Sequence, residues 1–567
     1  MKKLKTLMLA GVAASMMVSA ANAGRGSDGQ LNIIYWQAAS ILNPYLSGGT
    51  KDTHAASMVL EPLAKYDENG NMVPSLAAEI PTIENGGVAK DLKSITWKLK
   101  KGVVWSDGTP FTAADVVFSA KYCMDPTGGC NALANFSDVD SVEAVDDNTV
   151  KINFKVAKPF PYGPFVGATT PVIQAAQFKD CLGAKAPTCT AQNFGPIGTG
   201  PFTVTEFKAN DVVVYAANDK YREADKPAFA TAIIKGGGEA AAAARSVLET
   251  GEFDYAWNLQ VEPEILNQMA AKGKGTIVTS FGTSVERLMV QSTNVDPKLG
   301  DKRGTIEGGP HPFLNDPAVR EALSFAIDRQ ILVDAGYGKA GQVTCNVLPA
   351  PAVYASTAND SCKTQDVARA NKVLDDAGWV RGSDGIRAKD GVRLSILYQT
   401  STNGVRQGTQ ALIKQMWKAI GVETELRNIS ASVFFGGDQS SPDTFQKFFA
   451  DIEMYTNNFD GTDPERYMGS WACKEIPSPK NQWIGNNMPR YCNPEYDALV
   501  AEMGKTASLE KRAALAKKMN DMLMQARVMI PLIHRGDVSA HSNTLKGVRM
   551  NSWDSQLWNV QDWTRAK

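Results

Sequence analysis

Beyond Ala23 the 567-residue chain has no run of about 18 uninterrupted apolar residues, which excludes a conventional membrane-spanning helix from that part. Histidine is scarce, with only His54, His311, His534 and His541 present. General acid–base and nucleophilic catalysis most often recruit a histidine, and the motifs that would place one are missing: there is no GxSxG, no HExxH and no GxxxxGK[ST]. No CxxC spacing occurs either, so little remains for a zinc centre. No metal and no cofactor is expected, and the chain reads as a non-enzyme. Paired carboxylates leave a secreted hydrolase as a remote alternative. The one dinucleotide-like pattern, Gly336-Tyr337-Gly338-Lys339-Ala340-Gly341, follows a helical pattern and not a strand, so it reads as a helix-ending loop.

A basic excess is also lacking. Lys plus Arg number 59 against 60 Asp plus Glu, and residues 1–23 hold Lys2, Lys3 and Lys5 but no acid, which leaves the rest at 56 against 60, or −4. Nothing here suits nucleic acid or an anionic membrane. What is present at the start is an export signal: three lysines, an apolar core from Leu7 to Val18, and the small-x-small site Ala21-Asn22-Ala23. Cleavage before Gly24 is expected. The first cysteine is Cys123, far from that point, so no lipid anchor is expected.

The eight cysteines fall into sequence-local couples: Cys123 with Cys130, Cys181 with Cys189, Cys345 with Cys362, and Cys473 with Cys492. An even, clustered set behind an export signal suits structural disulfides in an oxidising compartment. About a hundred pairings are possible, and nearest-neighbour pairing is the expectation.

Runs rich in β-branched and aromatic residues predict strands over 31–36, 95–99, 149–156, 212–215 and 393–398. Helices are predicted from Pro317, capped by Asp316; from Asp366 to Gly378; around Thr409 to Ile420; and over 515–526, whose methionines share one core stripe. The alanine run Ala240 to Ala244 is expected to be helical. Strands and helices mixed over this length indicate a multi-domain α/β protein, with the Gly- and Pro-rich segment 296–312 as the expected boundary between large parts.

Four segments carry a signature. They are Trp97 to Val116 (WKLKKGVVWSDGTPFTAADV), Gly198-Thr199-Gly200-Pro201-Phe202, Ala322 to Arg329 with its Ala326-Ile327-Asp328-Arg329 core, and Asp463-Pro464. Together they resemble the extracytoplasmic solute-binding proteins, family 5, that serve peptide, opine and nickel importers of the ABC type, over essentially the whole chain. Taken by themselves, the same residues read as fold-holding: Asp107-Gly108 is a turn, and Thr112 with Asp115 a capping box.

The resemblance implies a type II periplasmic-binding-protein-like α/β fold of two lobes joined by a hinge, with an extra inserted domain. Lobe I would comprise 24–66, 198–294 and 535–567, the accessory domain 67–197, and lobe II 295–534, after a signal peptide at 1–23. It also implies a monomeric periplasmic carrier that closes on a short peptide or peptide-like amine and delivers it to an inner-membrane ABC permease with its ATPase subunits. An opine, sugar conjugate or oligosaccharide is the alternative cargo, and nickel or haem capture a third.

By the same resemblance, Asp460 falls where relatives hold the ligand's α-ammonium. Two departures stand out: Thr456 and Asn457 occupy the place of a usual Gly-Trp pair, and Gln399 and Thr400 stand where dipeptide binders carry an arginine for the ligand carboxylate. Arg287 is the expected substitute, because a guanidinium suits a carboxylate. Trp257 and Asn258 lie in a stretch that faces the ligand in relatives, and Tyr35 and Trp36 end the first strand at the cleft edge. Asn457, Asn458 and Gln399 complete the candidate set.

Overall fold

The computed structural model describes residues 24–457 and 461–566. The expected signal peptide, Asn458 and Asp460 lie outside the described residues, as does the side chain of Asn457. No helix among the described residues is long and apolar enough to cross a membrane.

Two sheets organise the molecule. The first runs in the order Gly275–Ser280, Asp537–Ser542, Tyr255–Trp257, Gln30–Tyr35, Thr231–Gly236, Val212–Ala217, Phe202–Lys208. Gln30–Tyr35 pairs in parallel with a strand on each side. Its alternate residues Leu31, Ile33 and Tyr35 are buried with Val213, Tyr215, Ile234 and Trp563, as a strand period of two requires. The second sheet runs Gly341–Val343, Met529–Arg535, Val285–Val290, Ile452–Asn457, Ser395–Ser401, Glu423–Ile429. All six residues of Val285–Val290 are buried, the pattern of a strand covered on both faces.

The chain passes between the sheets twice. Residues 281–284 link Gly275–Ser280 to Val285–Val290, and Gly536 alone links Met529–Arg535 to Asp537–Ser542. A Cβ on Gly536 would come within 2.9 Å of Thr279 Cγ2, so this tight crossing suits glycine. The expected passage near 294–296 is thereby corrected. Segment 296–312 stays with the second sheet's lobe, where Arg490 Nε donates to Gly304 O at 3.0 Å and His311 Nε2 lies 2.9 Å from Asp451. Its glycines and prolines shape a loop and not a junction.

A separate three-stranded antiparallel sheet, ordered Ser94–Lys98, Thr149–Phe154, Val139–Asp146, packs with helix Ala113–Met124 around Trp97, Trp105 and Phe111. The signature residues do structural work there. Thr112 and Asp115 form the capping box, and Trp105 Nε1 donates to Asp115 at 3.2 Å. Gly198 packs so closely that a Cβ would sit 2.0 Å from Val59 O, while Thr199 and Arg222 hold the buried Glu61. Asp316 and Asp366 cap their helices as expected, and Gly336 to Gly341 form the end of a helix and a short turn.

The cysteines form four disulfides: Cys123–Cys130, Cys181–Cys189, Cys345–Cys362 and Cys473–Cys492. The first ties the end of helix Ala113–Met124 to Cys130; the N–H of the next residue, Asn131, donates to Tyr45 O at 2.7 Å, and Asn131 reaches the space between the lobes.

Candidate functional site: a cleft between the lobes

A cavity of about 180 Å³ lies where the two sheets face each other, lined from both lobes. On the first side, Trp257 ends its strand and stacks on Tyr35 with ring centroids 4.6 Å apart and 14° between planes. His54 stands edge-on to Trp257 at 5.6 Å, with its Nδ1 3.1 Å from the Tyr35 hydroxyl. Burial pulls the His54 pKa down to about 3, so the ring is neutral and polar without charge. Asn258 takes a left-handed φ of 56°, which frees its backbone carbonyl to accept from Trp36 Nε1 at 2.7 Å and its side-chain oxygen to accept from Arg535 at 2.5 Å. The Ser47–Gly49 edge is held by Asp52, which accepts from Ser47 Oγ at 2.6 Å and Ser40 N at 2.6 Å.

The second lobe contributes aromatic and charged walls. Phe445 meets Tyr455 edge-to-face at 5.1 Å and Phe435 in a tilted contact at 5.8 Å, and all three line the cavity. Beside them Glu286, 1 % exposed, accepts from Arg406 Nε at 2.5 Å and from the Thr456 hydroxyl, with Arg535 at 3.7 Å. Burial alone would raise the Glu286 carboxyl; the charge and hydrogen bonds of Arg406, with help from Arg535 and Thr456, outweigh it and hold the group below the usual carboxylate range. Arg406 and Arg535 both face the Glu286 carboxylate, and Arg535 also lies 3.9 Å from Asp537. Arg535 Nε is buried with no hydrogen-bond partner among the described residues. Arg466 lines the cavity too and donates to Thr169 Oγ1 across the cleft at 3.2 Å. Two acids also line the cavity: burial raises the carboxyls of Asp537, which lies 3.9 Å from Arg535, and of Asp554, which accepts from the N–H groups of Tyr66, Ala168 and Ser555.

The expected site residues divide. Trp257 and Asn258 line the cavity. Tyr35 and Trp36 stand directly behind them, as supports and not as walls. Arg287 is corrected: it does not line the cavity, but is buried among Tyr455, Tyr467 and Trp471 and donates to the Tyr467 hydroxyl at 2.7 Å. Gln399 is also turned away, donating to the buried Glu453 at 3.0 Å. Asn457 ends its strand opposite Val285. Sequence reading passed over Arg406, Arg535 and Glu286. Neither Glu286 nor Arg287 lines the cavity; each stands behind residues that do, Glu286 behind Arg406 and Thr456 and Arg287 behind Tyr455 and Tyr467.

Residues 71–477 match the family described as "Bacterial extracellular solute-binding proteins, family 5 Middle". The chain belongs to this family. Among curated relatives, Protein XP55 of Streptomyces lividans is 30% identical over 397 residues, covering 69% of this chain and 65% of that protein, so the match spans about two thirds of it. Glutathione-binding protein GsiB of Escherichia coli (strain K12) is 24% identical over 548 residues and 95% of each chain. Among solved structures, the oligopeptide-binding protein AppA from Bacillus subtilis, in complex with a nonapeptide, superposes with a TM-score of 0.78 over 96% of this chain and 100% of that one at 21% identity. The family 5 chain thus has the two-lobed type II periplasmic-binding fold.

Proposed function

We propose that the protein is the periplasmic substrate-binding component of an ABC importer, exported by the segment at 1–23 and working as a monomer. It captures a short peptide or peptide-like amino compound by closure of the lobes and hands it to the permease. The observation that carries this reading is the cavity itself, walled by both lobes and bordered by two chain crossings, since closing on a ligand stabilises the closed state by its differential affinity. A relative named for glutathione and a fold neighbour holding a nonapeptide support the substrate class.

Within that reading, the ligand carboxylate is received by the Arg406–Arg535 side of the cavity, where two guanidinium groups line the wall and the Arg535 Nε lacks a hydrogen-bond partner among the described residues. Its ammonium is received by Asp460. Replacing Asp460 by alanine is expected to abolish binding of ligands with a free amino terminus; unchanged affinity overturns that role. Native mass spectrometry of the purified protein tests the whole reading. A bound compound in the di- to tripeptide mass range, carrying both an amine and a carboxylate, is expected. A bound neutral oligosaccharide or metal chelate contradicts it. A carboxylate-rich opine would use the same arginines and is told apart by its mass.

A further inference from the structure

A second cavity, of about 490 Å³, lies between the inserted domain and the helices of the second lobe. Arg466 lines both this cavity and the ligand cavity, so the two spaces share a wall. From the inserted domain come Phe154, Phe160 and Tyr162, and from the second lobe Gly469, Val500 and Ala501. Phe160 and Tyr162 meet edge-to-face at 5.1 Å, and the Tyr162 hydroxyl donates to Pro81 O at 2.7 Å, which satisfies its polar end. Some of the charges beside the apolar walls are spent on one another, while Lys474, Glu475, Asp497 and Lys505 also line the cavity. Lys158 donates to Asp138 at 2.9 Å and to Glu465 at 2.5 Å, and Arg512 donates to Asp463 and Glu465. An open cavity at a domain interface that combines aromatic and aliphatic walls with polar groups is a usual form of a small-molecule site.

We propose that this second cavity receives an aromatic or aliphatic extension of the ligand whose polar end sits in the first, with Arg466 at the junction. Phe154, Phe160, Tyr162 and Val500 offer the apolar surface for such an extension, and Arg466, which lines both cavities, brings the two ends of one ligand side by side. The proposal rests on the protein being a binder of short peptides or peptide-like compounds, yet the cavity can be probed apart from that.

The test uses the full chain and two filling variants. Ala501→Trp adds bulk from an exposed helix position. Gly469→Leu adds it where a Cβ would meet only Val500 Cγ1, at 3.6 Å. Millimolar 5-fluoroindole followed by fluorine NMR is expected to show a bound signal in the unmodified protein that both variants lose. In calorimetry, Ala-Ala-Phe is expected to bind the unmodified protein at least tenfold more tightly than Ala-Ala, and the variants to lose that advantage while binding Ala-Ala unchanged. No fluoroindole signal, or an equal loss for both peptides, overturns the proposal; the latter reports a closure defect. If neither peptide binds the unmodified protein, the peptide reading falls, and the cavity assignment stands or falls on the fluoroindole signal.

Discussion

Replacing Arg406 by glutamine removes the closest charged partner of Glu286, a carboxylate with a side chain 1% exposed. Breaking a buried ion pair from one side costs about 3–5 kcal/mol, because the remaining charge is left uncompensated. Arg535 at 3.7 Å and the Thr456 hydroxyl stay behind to share the load, which places the expected loss at the lower end, about 3 kcal/mol. The pH dependence distinguishes this cause from simple loss of packing. In the unmodified protein the folded pKa of Glu286 lies below its ordinary 4.5, so its stabilising contribution is complete above pH 4.5 and is lost as pH falls through the folded value. Without Arg406, burial dominates and raises the folded pKa; stability is then kept below pH 4.5 and lost as pH rises through the raised value. Urea unfolding should therefore show a deficit that is small at pH 4 and grows toward pH 7. The double variant Glu286→Gln/Arg406→Gln should recover much of it at pH 7. A deficit independent of pH, or a double variant as unstable as the single one, refutes the reasoning. Ligand affinity should fall as well, by ~2 kcal/mol or about 30-fold for a ligand with a carboxylate.

Lys158 bridges Asp138 of the inserted domain and Glu465 of the second lobe, so Lys158→Met should favour the open form and weaken ligand binding about fivefold, ~1 kcal/mol, mainly through faster release; stopped-flow dissociation rates check it, and an unchanged rate refutes the latch. His54, held neutral by burial with a pKa of about 3, should contribute no change in affinity between pH 5 and pH 7. A calorimetric titration across that range should be flat for a ligand that does not itself titrate there, and a break near pH 6.5 that vanishes in His54→Gln would contradict its neutrality.

Local features were legible in the sequence because their causes are local. Asp316 and Asp366 announce helices by accepting from N–H groups two and three residues on, and each disulfide joins cysteines that are neighbours in sequence. The helix predicted around Thr409 begins earlier, at Gly404, since Asn403 caps it and overrides the weak propensity of Gly404 and Gly408. The cleft was legible only in part. Trp257 and Asn258 sit at a strand end, where a sheet presents ligand-facing residues. Glu286, Arg406 and Arg535 are far apart in the chain and meet because Val285–Val290 and Met529–Arg535 pair in the second sheet, with Arg406 reaching Glu286 from helix Gly404–Ala419. The chain crosses between the lobes at 281–284 and at Gly536. Those crossings carry little turn punctuation, whereas the loop at 296–312 carries much and crosses nothing. Arg287 misled because its chemistry suited a carboxylate, while Tyr455 and Tyr467 stand between it and the cavity.

Capture by lobe closure is tested most directly by a distance across the cleft. Spin labels at Lys121→Cys and Lys480→Cys, both exposed and on opposite sides of the cleft, report it by pulsed electron resonance. After the protein is unfolded, stripped of small molecules and refolded, the distance distribution should be broad and long. Adding back the stripped compounds should collapse it to one short, narrow peak. A distribution that does not change when a compound binds would contradict capture by closure.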